Sequence, residues 1–437
     1  MTRREFLRRA AAGAVAGPML LRGASRSESD LLAEAEERIR QHRRRRRVLL
    51  IRDAKGRPVP GAKVRVQQTR HEYWFGCNLF LFGRGSGASW ESEYRARFIE
   101  LFNFATLGFY WAMYEPQPGR PQEERTDQIL EWAAKHGIVC KGHPLVWDDR
   151  VSSPSWLPES DEELARLVET RVRSVVSRFR GRLDVWDVVN EATHLPDRVS
   201  RTRMARWGEA IGPVAYTRRP LEVARAVHPE AVLLVNDYRL DQAYYNLLDA
   251  VRDAEGRPLY DAIGLQSHMH GGPWPLARIW EVCDRFAQLG RPLHFTEITV
   301  VSSSQRSPGE PWGPTNPEAE ARQAEYITKF YTMVFAHPAT QALVWWDLSD
   351  RGAWQGAAAG LLRRDMSPKP AYERLHELIR RRWWTQAEGI VGTDGEYVVE
   401  AFHGRHRITV EAQSGRTVTL EVDWPVQAPD RMEVRLQ

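Results

Sequence analysis

Two glutamates are set apart by where they fall in the chain. Glu191 closes Trp186-Asp187-Val188-Val189-Asn190-Glu191, and Glu297 closes His294-Phe295-Thr296-Glu297. Each ends a short apolar run, 183–189 and 293–297, that reads as a strand buried on both faces. A carboxylate where a buried strand emerges is costly unless it has a partner or a task. A single pair such as Asn190-Glu191 is commonly a helix N-cap or a surface ion pair. Two such carboxylates in one chain match the needs of glycoside hydrolysis, in which one group protonates the leaving oxygen and the other faces the anomeric carbon.

The elements that must position them alternate along the chain. Short apolar strands are expected over 75–81, 104–107, 138–143, 183–189, 232–236, 262–266, 293–297 and 341–346. Amphipathic helices are expected over 91–101, 126–136, 161–179, 221–227, 243–253, 276–289, 317–336 and 370–383. Eight strands, each followed by a helix, predict an α/β fold of the (β/α)8 TIM-barrel type. Functional groups in such a barrel stand at the C-terminal strand ends, where both glutamates lie.

Size and composition fit that reading. The 437 residues accommodate one large barrel of roughly 250–350 residues with accessory pieces. Hydrophobic residues make up 42% of the chain, enough for a sizeable core, and 17 tryptophans suit a site where flat faces pack on sugar rings. The net charge is +5, but residues 1–47 hold 13 Arg against 6 acidic side chains, a local +7, so the remaining 390 residues net −2. The body has no basic bias, and nothing there points to a nucleic-acid partner. Residues 1–25 begin Thr2-Arg3-Arg4-Glu5-Phe6-Leu7 before an Ala-rich apolar stretch, which resembles a twin-arginine export signal. That stretch is too short to span a bilayer, so the expected product is periplasmic or secreted, with no stable membrane span.

Residues 26–47 read as an Arg-rich helical or disordered stem, with the run 43–47 solvated by default. Residues 48–74 and 385–437 carry alternating strands between turn residues, too few on either side to bury a core alone. They are expected to pair into one small accessory β-sandwich beside the catalytic barrel, residues 75–384. Cys77, Cys140 and Cys283 are odd in number, lack zinc or disulfide spacing, and read as buried thiols.

Strand-end motifs then carry a resemblance to glycoside hydrolase family 10, the endo-β-1,4-xylanases. They are Lys141-Gly142-His143-Pro144-Leu145-Val146-Trp147, Trp186 to Ala192, Asn236-Asp237-Tyr238, Gly264-Leu265-Gln266-Ser267-His268, Phe295-Thr296-Glu297-Ile298, and Trp345-Trp346-Asp347-Leu348-Ser349-Asp350 with Trp354. The resemblance implies Glu191 as general acid/base and Glu297 as nucleophile of a retaining, double-displacement mechanism. It implies that His268 hydrogen-bonds the nucleophile and that Asn190 contacts the sugar 2-hydroxyl. By the same likeness His143 and Trp147 hold the sugar on the non-reducing side, and Gln266, Trp346 and Trp354 line the site. Tyr238 falls on the leaving-group side. No cofactor is implied. His143, His194, His268 and His270 lack metal-ligand spacing and read as single hydrogen-bonding groups, so no metal is expected. The expected partner is a polysaccharide or oligosaccharide, taken by a monomer.

Three departures bear on the substrate. Tyr110 stands where the family has Lys, and the preceding Glu-Asn pair of the family is missing from Ala105-Thr106-Leu107-Gly108-Phe109. Thr299 replaces an Asp that orients the sixth-strand histidine, so a looser His268 is expected. Asp148-Asp149 replaces His-Ser and reads as a surface loop. Exchanging polar contacts for aromatic ones alters which hydroxyl pattern a site prefers. The leading function is a retaining endo-acting β-glycoside hydrolase, an endo-1,4-β-xylanase acting on xylan or a related plant β-glycan. The alternative is a non-hydrolytic carbohydrate-binding protein on the same barrel, and a structural envelope protein is a third reading. The presence of both carboxylates argues against the second reading, and motifs at so many strand ends argue against the third.

Overall fold

The computed structural model describes residues 26–85, 87–197, 201–303 and 310–436. The export-signal expectation for 1–25 lies outside them. Eight parallel strands close a barrel in the order β10-β3-β4-β5-β6-β7-β8-β9. They are β3 (Trp74–Asn78), β4 (Phe104–Gly108), β5 (Val139–His143), β6 (Val185–Asn190), β7 (Val232–Asp237), β8 (Ala262–Met269), β9 (Leu293–Val300) and β10 (Thr340–Trp345). Helices wrap the outside, so both strand faces are buried and the strands read apolar throughout. The expected TIM barrel is the fold observed.

Period-2 alternation sorts the barrel interior into levels. Trp74, Phe104, Val185, Val232, Ala262 and Ala342 form an apolar plug at the N-terminal end, with Trp74 stacked on Phe104 at 4.6 Å. Farther along the barrel strands, Asn78, Lys141, His143, Asn236, Gln266 and His268 put polar groups at the C-terminal end. Register shifts at Asp187/Val189 against β7 and at Leu265/Gln266 against β9 break the alternation where the site begins. Such bulges re-aim side chains, which is why simple alternation does not give the direction of Glu191.

The chain termini build two further sheets, β12-β1-β15 and β11-β2-β13-β14. Their strands are β1 (Arg44–Asp53), β2 (Lys63–His71), β11 (Gln386–Ile390), β12 (Glu396–Phe402), β13 (Gly404–Glu411), β14 (Thr417–Trp424) and β15 (Arg431–Leu436). Leu49, Ile51, Val64, Val66, Ile408 and Val410 fill the space between the sheets.

The segment before this module differs from a solvated stem. Ser27 and Asp30 form a capping box on the helix Glu28–His42, which buries Leu31, Ala35 and Ile39. The arginine run continues into β1 and splits by position. Arg43 is sunk at the base of the barrel, where it donates to the carbonyls of Phe335, His337 and Thr340. Arg47 is 1% exposed and donates to the carbonyls of Pro425, Ala428 and Pro429. Charge counting missed this, because a guanidinium that meets several carbonyls can be buried. Cys77, Cys140 and Cys283 are buried free thiols. No helix among the described residues is long and apolar enough to cross a membrane.

The seam between sandwich and barrel is rich in neutral imidazoles. Burial pushes His71 and His403 down to about 3 and His406 to about 4, and His294 inside the barrel also falls to about 3. The unfolded chain takes these protons near pH 6.5, whereas the folded chain resists them to much lower pH. Stability is therefore fully present above about pH 6.5 and falls as pH drops toward 3, by about 1.4 kcal/mol per pH unit for each imidazole. Urea midpoints are expected to fall steeply from pH 7 to pH 5. His403→Gln should flatten part of that slope, and a flat wild-type profile would contradict the burial of neutral imidazoles.

Candidate active site

Glu191 stands directly after β6 with φ 56°, a left-handed conformation that costs a non-glycine residue about 1–3 kcal/mol. Its N–H donates to the Asn236 carbonyl of β7 at 2.8 Å, which holds the backbone in that turn. The side chain leaves the strand direction and enters the cleft. Gln266 Nε2 donates to Glu191 Oε1 at 3.0 Å, and Trp147 Nε1 donates to Oε2 at 3.1 Å.

Glu297 lies within β9 and is 4% exposed. Asn236 Nδ2 donates to its Oε1 at 2.7 Å, and His268 Nε2 meets its Oε2 at 3.0 Å. Burial alone would push this carboxyl up, but His143, His268 and Lys141 outweigh it and hold Glu297 below the usual carboxylate range. The group is therefore kept ionised, the state a nucleophile needs.

A continuous amide chain joins the two glutamates. Asn236 Nδ2 also reaches Asn190 Oδ1 at 2.8 Å, and Gln266 Nε2 reaches the same oxygen at 3.2 Å. Asn190 thus spends its carbonyl on protein donors, which orients its amide nitrogen as the remaining donor. Gly264 makes this possible, because a Cβ there would lie 2.4 Å from Asn236 Oδ1.

Below the glutamates lies a buried ion cluster of Lys141, His143 and Asp187. Asp187 is fully buried in β6 and meets Lys141 Nζ at 2.6 Å and His143 Nδ1 at 2.8 Å. Burial pushes the Asp187 carboxyl up, yet Lys141 and His143 bring it below its ordinary value. His143 Nε2 in turn stands 3.8 Å from Glu297 Oε1.

The remaining residues singled out from sequence form the walls. Trp346 lies 5.5 Å from His143 and 5.7 Å from His268, ring to ring. Trp354 is half-exposed and sits 4.5 Å from His268. Tyr238 is half-exposed on the other side, 5.7 Å from His194. Tyr110 meets His143 at 5.6 Å and Trp147 at 5.9 Å, so an aromatic face occupies the position of the missing lysine.

Two expectations from the departures need correction. His268 is not left loose, because Nδ1 pairs with the Thr299 hydroxyl at 2.8 Å. A hydroxyl that donates to Nδ1 leaves Nε2–H pointing at Glu297, so a neutral residue performs the orientation. Asp148 is not on a surface loop. It is 1% exposed and meets His194 Nε2 at 3.1 Å.

The comparisons with known proteins agree with this geometry. The model of glycosyl hydrolase family 10 matches residues 90–378, more than half of the chain. The chain belongs to glycosyl hydrolase family 10. It is 30% identical over 314 residues to endo-1,4-beta-xylanase B of Thermotoga neapolitana, covering 67% of this chain and 86% of that protein. It is also 26% identical over 384 residues to the anti-sigma-I factor RsgI6 of Acetivibrio thermocellus, of which it spans 46%. Among solved structures, a family 10 protein from Paenibacillus barcinonensis has a TM-score of 0.61 at 25% identity, over 71% of this chain and 96% of that one. Xylanase 10B of Thermotoga petrophila, solved with xylobiose, has a TM-score of 0.60 at 24% identity, covering 71% of this chain and 95% of that one, and shares the fold.

One further carboxylate belongs to this family 10 site. Asp347 follows β10, and its Oδ2 accepts the Trp354 N–H at 2.9 Å. Burial pushes its carboxyl up to about 6, against the Trp354 N–H, the Asn78 amide and the His268 ring, with Asp350 adding to the upward push. Below pH 6 the group takes a proton, accepts more weakly and loosens the loop that carries Trp354. KM for a β-linked oligosaccharide is expected to rise as pH falls through about 6 and to lose that inflection in Asp347→Asn. The same profile in both proteins would contradict the link.

Proposed function

We propose that this family 10 glycosidase is an exported, monomeric, retaining endo-1,4-β-xylanase acting on xylan or a related plant β-glycan. The observation that carries the reading is the unequal setting of two glutamates tied together by amide side chains. Glu297 is held ionised by His268, Asn236 and the cationic groups beneath it. Glu191 stands at the end of β6, with β7 and β8 between it and β9, and has Trp147 and Gln266 on its two oxygens.

In the first step Glu191 gives its proton to the glycosidic oxygen while Glu297 attacks the anomeric carbon. The carbon–oxygen bond breaks and a glycosyl ester forms on Glu297. In the second step Glu191 takes a proton from water, which displaces Glu297 with net retention. The Asn190 amide nitrogen donates to the 2-hydroxyl, a contact that strengthens as positive charge develops on the ring. His143, Trp346 and Tyr110 make a wall suited to the flat face of a sugar.

Xylan is supported by the likeness to Thermotoga neapolitana endo-1,4-beta-xylanase B. Export is supported by Thr2-Arg3-Arg4-Glu5-Phe6-Leu7, and residues 48–437 net −2, so they carry no overall basic bias toward nucleic acid. Turnover of aryl β-xylosides, aryl β-cellobiosides and polymeric β-glycans is expected, with the highest kcat/KM on xylan. Glu297→Ala should lower it by at least on the order of 10³-fold. Wild-type protein no faster than Glu297→Ala on every substrate would leave the binding-protein reading. Release of the inverted anomer would contradict double displacement.

A further inference from the structure

Both Glu191 oxygens accept N–H donors, from Gln266 at 3.0 Å and Trp147 at 3.1 Å. Such donors favour a carboxylate, whereas a general acid must carry its proton at the start of the reaction. His194, three residues on, offers the opposite kind of partner. Its Nδ1 lies 3.8 Å from Glu191 Oε2, and its Nε2 lies 3.1 Å from Asp148 Oδ1. Both side chains are buried, His194 at 6% and Asp148 at 1% exposure. A carboxylate only accepts, so Asp148 fixes an imidazole hydrogen on Nε2, and in the neutral ring Nδ1 presents a lone pair toward Glu191.

We propose that His194, oriented by Asp148, is a positioning residue that holds Glu191 in its protonated form by accepting the Glu191 O–H at Nδ1. This rests on reading Glu191 as the general acid. Hydrogen bonds in substrate-free sites are often long, and a small rotation of the Glu191 side chain closes the 3.8 Å gap. A bond made to the neutral acid raises its pKa, in opposition to Trp147 and Gln266.

The Tyr238 ring stands 5.7 Å from that of His194, and Asp237, at the end of β7, accepts the Thr193 and Arg239 N–H groups. As the leaving oxygen takes the proton, Glu191 becomes a carboxylate and turns back to its two N–H donors. When water attacks in the second step, Glu191 takes a proton from it and returns to Nδ1.

The test compares two aryl β-xylobiosides. A phenyl leaving group needs the proton from Glu191, and a 2,4-dinitrophenyl group does not. In His194→Ala the alkaline limb of kcat/KM for the phenyl substrate should move down by about one pH unit, a loss of about tenfold on that limb. The dinitrophenyl substrate should stay within about threefold of wild type. His194→Gln, whose amide oxygen still accepts, should recover most of the shift. Unchanged melting temperatures exclude a folding defect. An unmoved limb would overturn the proposal, and so would an upward shift, which would mark His194 as a cation. Equal losses on both substrates would reduce it to a packing residue and overturn it as well.

If the wild type turns over neither substrate, the hydrolase reading fails separately. The Glu191 carboxyl is then titrated in the resting protein by infrared difference spectroscopy, with the band assigned by its loss in Glu191→Gln. A lower pKa in His194→Ala supports the proposal, and an equal or higher one overturns it.

Discussion

The structure turns on keeping one buried carboxylate ionised. Glu297 is 4% exposed above an apolar plug, where an isolated charge would neutralise. The protein meets that cost with hydrogen bonds made to the charged form and with a second buried ion cluster. Asn236 and His268 bind the two oxygens directly, while Lys141 and His143 share Asp187 one level below. Each group is itself fixed: Thr299 orients His268, Thr296 Oγ1 donates to Asn236, and Gly264 clears space for Asn236. Loss of any one leaves a buried polar group without its partner, which is more costly than an ordinary surface deletion.

The same layer makes two glutamates unequal. Glu297 sits inside a strand among donors, and Glu191 sits past the end of one, in a strained turn beside the cleft. Asn236 and Gln266 bridge them through Asn190, so neither can shift without disturbing the other. The barrel supplies the required geometry because its strand ends converge there, and the bulges in β6 and β9 aim side chains that simple alternation would direct elsewhere.

Much of this was legible in the sequence, for identifiable reasons. Eight apolar runs in alternation with helices specify the barrel, and glutamates at the ends of 183–189 and 293–297 stand out against apolar strands. Pairings between distant residues were not legible. Asp187 lies inside a run that reads as core, and only its contact with Lys141 and His143 from β5 explains a charge there. Asp148 looked like loop surface until His194 closed over it. Arg43 and Arg47 looked solvated because their acceptors are backbone carbonyls, which no side-chain pattern announces. The departures at Tyr110 and Thr299 were visible, but their consequences were not. A hydroxyl proved a sufficient orienting partner for His268, and an aromatic ring closed the wall beside His143.

The most direct measurement of the central claim, that Glu297 is the ionised nucleophile, is to trap the reaction halfway. A 2-deoxy-2-fluoro aryl β-xylobioside slows both steps, and its good leaving group lets the glycosyl ester accumulate. Mass spectrometry of the digested protein should then find a single 2-deoxy-2-fluoroxylobiosyl group on the peptide that contains His294-Phe295-Thr296-Glu297, localised to Glu297. Label on Glu191, or turnover of the parent glycoside with no ester ever detected and inverted product released, would contradict it.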